Sequence, residues 1–239
     1  MIKKLSIIMP VYNEEKFVAQ AIKKVMAVNF GKFRKELIVV NDGSTDGTSE
    51  KLKNSKTLKI KAKGDTIKVI SPRKNQGKGA AIRRGLLEIT GDVVVIQDAD
   101  LEYDPRELLI LLKPIVDGDA DVVFGSRFMG DRPHRVLFFW HMVANNFLTV
   151  ISNMCTNINL TDMETGYKMF TAKVAKKLNL QENRFGLEPE FTAKVSRMGV
   201  RIYEVGISYH GRNYEQGKKI GWKDGLHALW CILKYNLFS

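Results

Sequence analysis

Asp98, Asp100 and Glu102 occupy alternate positions directly after an apolar run, Val93-Val94-Val95-Ile96. The run reads as a buried strand, and in an extended chain alternate side chains face the same way. The three carboxylates could therefore converge on one point. Converging carboxylates repel and raise each other's pKa unless a cation sits among them. An oxygen-only donor set suits a hard ion, Mg²⁺ or Mn²⁺, better than zinc. A strand ending in an acidic, solvated turn uses the same residues, because Asp is a common turn former. The rest of the chain has to decide between the two.

Other segments carry comparable chemistry. Asp42 ends an apolar run and precedes Gly43-Ser44-Thr45-Asp46-Gly47-Thr48, a tight turn into a helical pattern with Thr45 or Asp46 as N-cap. There Asp42 could accept hydrogen bonds from a ribose or a base, although an ordinary capped loop looks the same. Asn75-Gln76-Gly77-Lys78-Gly79 opens another helix, and its amides and Lys78 could meet phosphate or the strand-tip carboxylates. It lacks the Lys-Ser/Thr ending of a P-loop, and no dinucleotide glycine fingerprint is present. Arg127 is followed by Arg132, His134 and Arg135, and Tyr209 to Tyr214 with Gly217-Lys218-Lys219 makes a basic, glycine-bearing loop. Folded over a diphosphate, such a loop supplies countercharge. Asp162-Met163-Glu164-Thr165-Gly166-Tyr167-Lys168 is a polar insert that reads equally as a capped turn or a catalytic loop. No serine or cysteine nucleophile has a signature and the four histidines lack metal-ligand spacing, which argues against hydrolase and zinc-enzyme readings.

The elements that must position these residues alternate. Strands are expected at Leu5–Met9, Glu36–Val40, Thr66–Ile70, Asp92–Ile96 and Ala120–Phe124, and helices at Glu14–Val28, Thr45–Leu52, Gly79–Ile89 and Pro105–Val116. Alternation with continuously apolar strands predicts an α/β fold with a parallel sheet covered on both faces. Such sheets bind ligands outside the carboxyl ends of their strands. Pro10 to Glu14, Asn41 to Thr48, the Asp98 run and Gly125-Ser126-Arg127 all fall at that edge. After about Gly130 the pattern changes to an apolar helix near Val136–Asn153, the segment Thr161–Phe170, two shorter helices and a strand at Arg201–Tyr209. A final helical repeat over Gly221–Ser239 carries Trp222, Leu226, Leu229, Trp230, Leu233 and Leu237. No internal repeat or linker divides the chain.

Composition sets further bounds. The 239 residues, 44% hydrophobic and 27% charged, suffice for one α/β domain with a small extension. Cys155 and Cys231 form no framework, and no signal-peptide pattern precedes the first strand, so a cytoplasmic location is expected. The net charge of +12 implies a polyanionic partner. Part of it is a lysine-rich loop around Lys51, Lys53, Lys56, Lys59, Lys61 and Lys63. No nucleic-acid-binding motif is present, so phosphates or an anionic membrane surface are the better candidates. No apolar run reaches the roughly 20 residues that span a bilayer. The nearest, Val136 to Ile151, is interrupted by His141, Asn145 and Asn146.

Taken in order, Pro10-x-Tyr12-Asn13-Glu14, Asn41-Asp42-Gly43-Ser44-x-Asp46-Gly47-Thr48, Asn75-x-Gly77-Lys78-Gly79, Asp98-x-Asp100 and Gly125-Ser126-Arg127 resemble glycosyltransferase family 2. The likeness, over about Leu5 to Lys219, is greatest to its polyprenyl-phosphate glycosyltransferases, which include dolichyl-phosphate mannose synthases and glucosyltransferases. It implies a GT-A fold, a Rossmann-like mostly parallel sheet with helices on both faces, over residues 1–219, with a C-terminal amphipathic helix over 220–239. It also implies a UDP- or GDP-linked sugar donor and Mg²⁺ or Mn²⁺. By the same resemblance Pro10, Tyr12, Asn13, Glu14 and Asp42 hold the nucleoside. Asp98, Asp100 and Glu102 hold the metal and diphosphate, with Lys78, Ala99, Arg127, Arg212 and Lys218 completing the donor site. Asp98, Asp100 and Arg127 would be catalytic, and Arg135 and Asp162 would face the acceptor. The mannose synthases often carry Gln at the position of Glu102, and the Asp162 segment departs from their pattern, which leaves the transferred sugar open.

The implied reaction inverts the anomeric carbon. A polyprenyl-phosphate acceptor is already ionised at neutral pH and needs no strong base. A saccharide hydroxyl would need one, such as Asp162, Glu188 or Glu190. The apolar helix after Val136 and the C-terminal helix are expected either to meet lipid peripherally, on the inner membrane face, or to pack in the core. A basic module that binds polyanions without catalysis is the non-enzymatic alternative, and a nucleotidyltransferase is disfavoured because its glycine-rich, basic N-terminal loop is missing.

Overall fold

Runs of Val, Ile and Leu form the strands, and each alternates its side chains between two helical layers. The computed structural model describes residues 2–55, 64–130, 133, 135–136, 138–211 and 221–238. In chain order these form β1 (Lys4–Val11), α1 (Val18–Ala27), β2 (Arg34–Asn41), α2 (Thr48–Ser55), β3 (Thr66–Ile70), α3 (Lys78–Leu86) and β4 (Val93–Ile96). A 3-10 turn (Pro105–Glu107), α4 (Leu108–Val116), β5 (Val122–Ser126), α5 (Phe139–Thr156), β6 (Lys168–Thr171) and α6 (Ala172–Lys177) follow. The last elements are α7 (Leu187–Ser196), β7 (Ile202–Gly206) and α8 (Trp222–Leu237). Val93 and Val95 join one apolar layer with α1 and α4. Val94 and Ile96 join the other, with α3, α6 and α7. Burying each such side chain contributes roughly 1.5–3 kcal/mol.

The sheet order is β3-β2-β1-β4-β6-β5-β7. All pairs are parallel except those of β6, which runs antiparallel to both β4 and β5. The mostly parallel sheet with helices on both faces agrees with expectation, whereas β6 was hidden inside the Thr161–Phe170 insert. It has only four residues and opens on a buried lysine, Lys168, whose Nζ donates to the carbonyls of Met163 and Thr165. Helix α1 begins at Val18 rather than Glu14. Asn13 is left-handed at φ 52°, and the amides of Phe17 and Val18 turn back onto the Glu14 carbonyl.

The two apolar helices each pack one face into the core and leave the other exposed. Ala228 and Ile232 of α8 pack with Leu148 of α5 and with Met163, and Cys231 and Tyr235 pack against Ala193 of α7. Glu182 anchors the same face through Lys234 Nζ and Tyr235 Oη, each at 2.8 Å. On the other side α8 exposes Leu226, Trp230 and Leu237, and α5 exposes Phe139, Trp140, Phe147, Val150 and Met154. Among the described residues no helix is long and apolar enough to cross a membrane.

Candidate active site

Strand β4 ends at Ile96 and the chain turns at once, with Leu101 in the left-handed region at φ 64°. The alternation that would align Asp98, Asp100 and Glu102 therefore stops before it reaches them. One oxygen from each does not come within 4.8 Å of the other two, so the expected convergence on a single point is corrected. Asp98 instead accepts from Lys78 Nζ at 3.1 Å, and Lys78 also meets Glu188 Oε1 at 3.2 Å. Asp100 Oδ1 accepts the Glu102 amide at 3.1 Å, and Glu102 Oε2 accepts from Tyr209 Oη at 2.9 Å. All three carboxylates nevertheless line one cavity of about 410 Å³ at the carboxyl edge of the sheet. Mg²⁺ is commonly held by one or two carboxylates plus phosphate oxygens and water. The all-oxygen set therefore fits a hard divalent cation without a preassembled triad. Burial alone would lower the pKa of Lys78, but Asp98 and Glu188 more than offset it and hold the ammonium charged.

Pro10, Tyr12, Glu14 and Ala99 line the cavity, and Asp42 does so from the tip of β2. The Asp42 carboxylate also accepts the amides of Gln76, at 3.0 Å, and Gly77, at 2.6 Å, so it ties the second glycine loop to the first. Gly77 sits at φ 101°, and a Cβ there would lie 2.4 Å from the Asn183 carbonyl oxygen. Asn13 is brought to a different place from the one expected. Its Oδ1 accepts the Thr45 amide at 2.8 Å, which pins the loop after β1 to the loop after β2, and it is not among the cavity residues.

The opposite side is built around Arg127. Its Nε and Nη2 meet the two oxygens of Asp162, each at 2.7 Å. Burial opposes the Arg127 charge, yet Asp162 raises its pKa well above the ordinary value. Asp162 is fully buried and absent from the cavity wall, so the acceptor contact expected of it is replaced by support for Arg127. Glu190 likewise is no base: its oxygens accept the amides of Gln181 and Glu182 at 2.6 and 2.8 Å. Arg135 is exposed, and its guanidinium donates to the Gly211 carbonyl at 3.0 Å. Arg212 and Lys218, expected on the donor phosphates, lie outside the described residues, as do Arg132 and His134.

Several cavity residues escaped the sequence reading. Tyr103 stacks on Tyr167 with centroids 4.7 Å apart, and its Oη accepts the Gly166 amide at 3.0 Å. Burial pushes its phenol up to about 12. A Cβ on Gly166 would lie 2.4 Å from Asp98 Oδ2, so this glycine makes room for the carboxylate. Glu164 completes the floor with Glu188, which the sequence offered only as a candidate base, and each has one buried oxygen that has no hydrogen-bond partner. Burial first, and Glu188 second, push the Glu164 carboxyl up to about 8. Their only sequence signals were the polarity of the insert around Asp162 and the acidic start of α7. Arg184 and Phe185, also on the wall, carried none.

Comparison with known proteins adds independent findings. Residues 6–178 match the family model for glycosyl transferase family 2. A dolichyl-phosphate beta-glucosyltransferase of Trichomonas vaginalis is 28% identical over 86% of this chain. A dodecaprenyl-phosphate galacturonate synthase of Rhizobium johnstonii is 25% identical over 90%. The chain spans 65% and 61% of the lengths of these two relatives. The glucosyl-3-phosphoglycerate synthase of Mycobacterium tuberculosis, solved with Mn²⁺, UDP and phosphoglyceric acid, superposes with a TM-score of 0.75 at 19% identity. That match covers 99% of this chain and 80% of the synthase, and it shows the shared GT-A fold.

Proposed function

This chain belongs to glycosyltransferase family 2 and is a glycosyltransferase, and we propose that it moves a hexose from a UDP- or GDP-linked sugar to a polyprenyl phosphate. The observation that carries this reading is the shared cavity in which Asp98, Asp100 and Glu102 face Lys78 and Arg127 across the carboxyl edge of the sheet. Opposite charges placed around one space suit a nucleoside diphosphate and its counter-ion. Tyr12, Glu14 and Asp42 form the nucleoside side. Asp98, Asp100 and Glu102 would hold Mg²⁺ or Mn²⁺, which when bound neutralises the departing diphosphate. Arg127, fixed by Asp162, adds donors for the same phosphates.

A phosphate oxygen of the acceptor attacks the anomeric carbon as the bond to the donor diphosphate breaks, and configuration inverts. No base is required of the protein, in keeping with Asp162 and Glu190 both being committed elsewhere. Residues 1–219 form the catalytic unit in this reading, and 220–239 contribute a helix that rests on lipid. The exposed apolar faces of α5 and α8, with the net charge of +12, support peripheral attachment to the anionic inner face of a membrane. The second reading, transfer to a saccharide hydroxyl, is favoured by the unpartnered Glu188 Oε2 at the cavity, which could serve as base.

The deciding experiment incubates the protein with Mg²⁺ or Mn²⁺, UDP- and GDP-hexoses and polyprenyl phosphate. Labelled lipid is expected, lost on chelation and in Asp100→Ala. Transfer to a sugar hydroxyl alone would overturn the lipid-phosphate reading and promote Glu188 as base. Undiminished polyanion binding without any turnover would favour the binding-module alternative.

A further inference from the structure

One carboxyl on the cavity floor has no task in the reaction above. Glu164 lies in the turn before β6 and lines the cavity with Asp98, Arg127 and Glu188, while its Oε1 is buried without a hydrogen-bond partner. The backbone on both sides is clamped. Lys168 Nζ holds the carbonyls of Met163 and Thr165, the Gly166 amide is on Tyr103 Oη, and the amides of Thr161 and Asp162 are on Glu204. A buried polar atom left unpaired is costly and is explained when a ligand supplies the missing bond. Burial, reinforced by Glu188, keeps the proton on Glu164 at neutral pH, so the group offers both an O–H donor and a carbonyl acceptor.

The topology says which part of the donor it meets. Asp42 and Tyr12 stand at the tips of β2 and β1, the Asp98 segment at β4, and Glu164 just ahead of β6, in the lateral order of the sheet. A nucleoside, a diphosphate and a sugar laid along that edge bring the sugar to Glu164. Lys78 is held between Asp98 and Glu188, and Arg127 is bonded to Asp162, while the third cation of the wall, Arg184, is exposed beside Gly77.

We propose that Glu164 takes a hydroxyl of the transferred sugar and makes this site select an uncharged hexose against a hexuronate. A uronate would bring a further carboxylate beside Asp98 and Glu188, which already share Lys78 between them, and such juxtaposition rejects ligands. The inference rests on the transferase reading and deepens it.

Calorimetric titration of wild type, Glu164→Ala and Glu164→Gln tests it, using UDP, UDP-glucose, UDP-glucuronate, GDP and GDP-mannose with Mn²⁺. Wild type should bind its nucleotide hexose at least about tenfold more tightly than UDP-glucuronate, a difference within reach of one unpaired charge. Glu164→Ala should lose about tenfold for the hexose while its affinity for the nucleoside diphosphate is kept, and Glu164→Gln should regain most of that loss, since an amide also donates and accepts. An unchanged ratio of hexose to diphosphate affinity in Glu164→Ala, or equal binding of the glucuronate by wild type, overturns the inference alone. No binding of UDP or GDP by wild type overturns the transferase reading beneath it.

Discussion

Arg127 grips Asp162 through two parallel hydrogen bonds of 2.7 Å, and the same carboxylate accepts the backbone N–H of Arg127 at 3.0 Å. The loop leaving β5 is thus locked to the insert before β6 by one buried pair. Breaking such a pair from one side strands a buried charge and costs about 3–5 kcal/mol. Asp162→Ala is expected to lose stability on that scale in urea denaturation, and turnover with it. The double variant Arg127→Met with Asp162→Leu should regain most of the stability without regaining turnover. Recovery of both would show that Arg127 serves packing alone.

Gly166 makes a second prediction. A methyl group there would sit 2.4 Å from Asp98 Oδ2, and the carboxylate, already braced by Lys78, has to move. Misplacement of a reacting group by about 1 Å costs on the order of 10²-fold in rate. Gly166→Ala should therefore lower kcat by about that factor and leave the far-ultraviolet circular dichroism spectrum unchanged. Full activity would mean that Asp98 is not held in its working position.

The exposed tryptophans of α5 and α8 lead to a third. Trp140 is 76% exposed and Trp230 55%, far more than core residues of that size. The protein should sediment with phosphatidylglycerol vesicles, less so at high salt. Trp140→Asp and Trp230→Asp should each weaken that binding about tenfold, the loss expected from un-burying a large apolar side chain. Equal partition of wild type and the double variant would remove lipid as the partner of this face.

A fourth concerns pH. Glu164 is raised from 4.5 to about 8, first by burial and then by Glu188 of α7. Lys168 of β6 and Arg127 beyond β5 oppose the shift, and Asp162 of its own loop adds to it. A raised carboxyl contributes stability that is fully present below about pH 4.5 and lost as pH climbs through about 8. Glu36 and Glu182 have the opposite sign. Burial works against their charge, but hydrogen bonds with Lys4 and with Lys234 respectively hold each at about 2. Their contribution is present above about pH 4.5 and lost as pH falls towards about 2. Denaturation midpoints of wild type relative to Glu164→Gln should accordingly fall between about pH 5 and 8, while both proteins weaken together in acid. Parallel curves from pH 5 to 8 would show Glu164 to be charged throughout.

Much of this architecture is legible without coordinates, for definite reasons. Val93 to Ile96 and Ile7 to Met9 are apolar on both faces because helices cover both, and glycine and Asp mark the turns where the chain leaves the sheet. The edge that gathers Tyr12, Asp42, Asp98 and Arg127 follows from that alternation alone. The rule for strands does not extend past the end of β4 at Ile96, and a left-handed Leu101 then separates Asp100 from Glu102. Asn13 and Asp42 show another limit. A side chain that bonds a neighbouring loop and one that bonds a ligand look alike in one dimension. Glu164 is invisible for a third reason, since it sits in a turn whose carbonyls are held by Lys168, and the charge of that lysine also disguised β6.

The antiparallel β6 has a metrical consequence. Strands in a sheet lie about 4.8 Å apart, so one strand wedged between β4 and β5 sets their tips roughly 9.5 Å from each other. Were β4 and β5 direct neighbours, the Asp98 and Arg127 loops would close on a gap too narrow for a sugar diphosphate. Four residues in the middle of the sheet thus act as a gauge block for the opening above them, and they do so without touching what enters it.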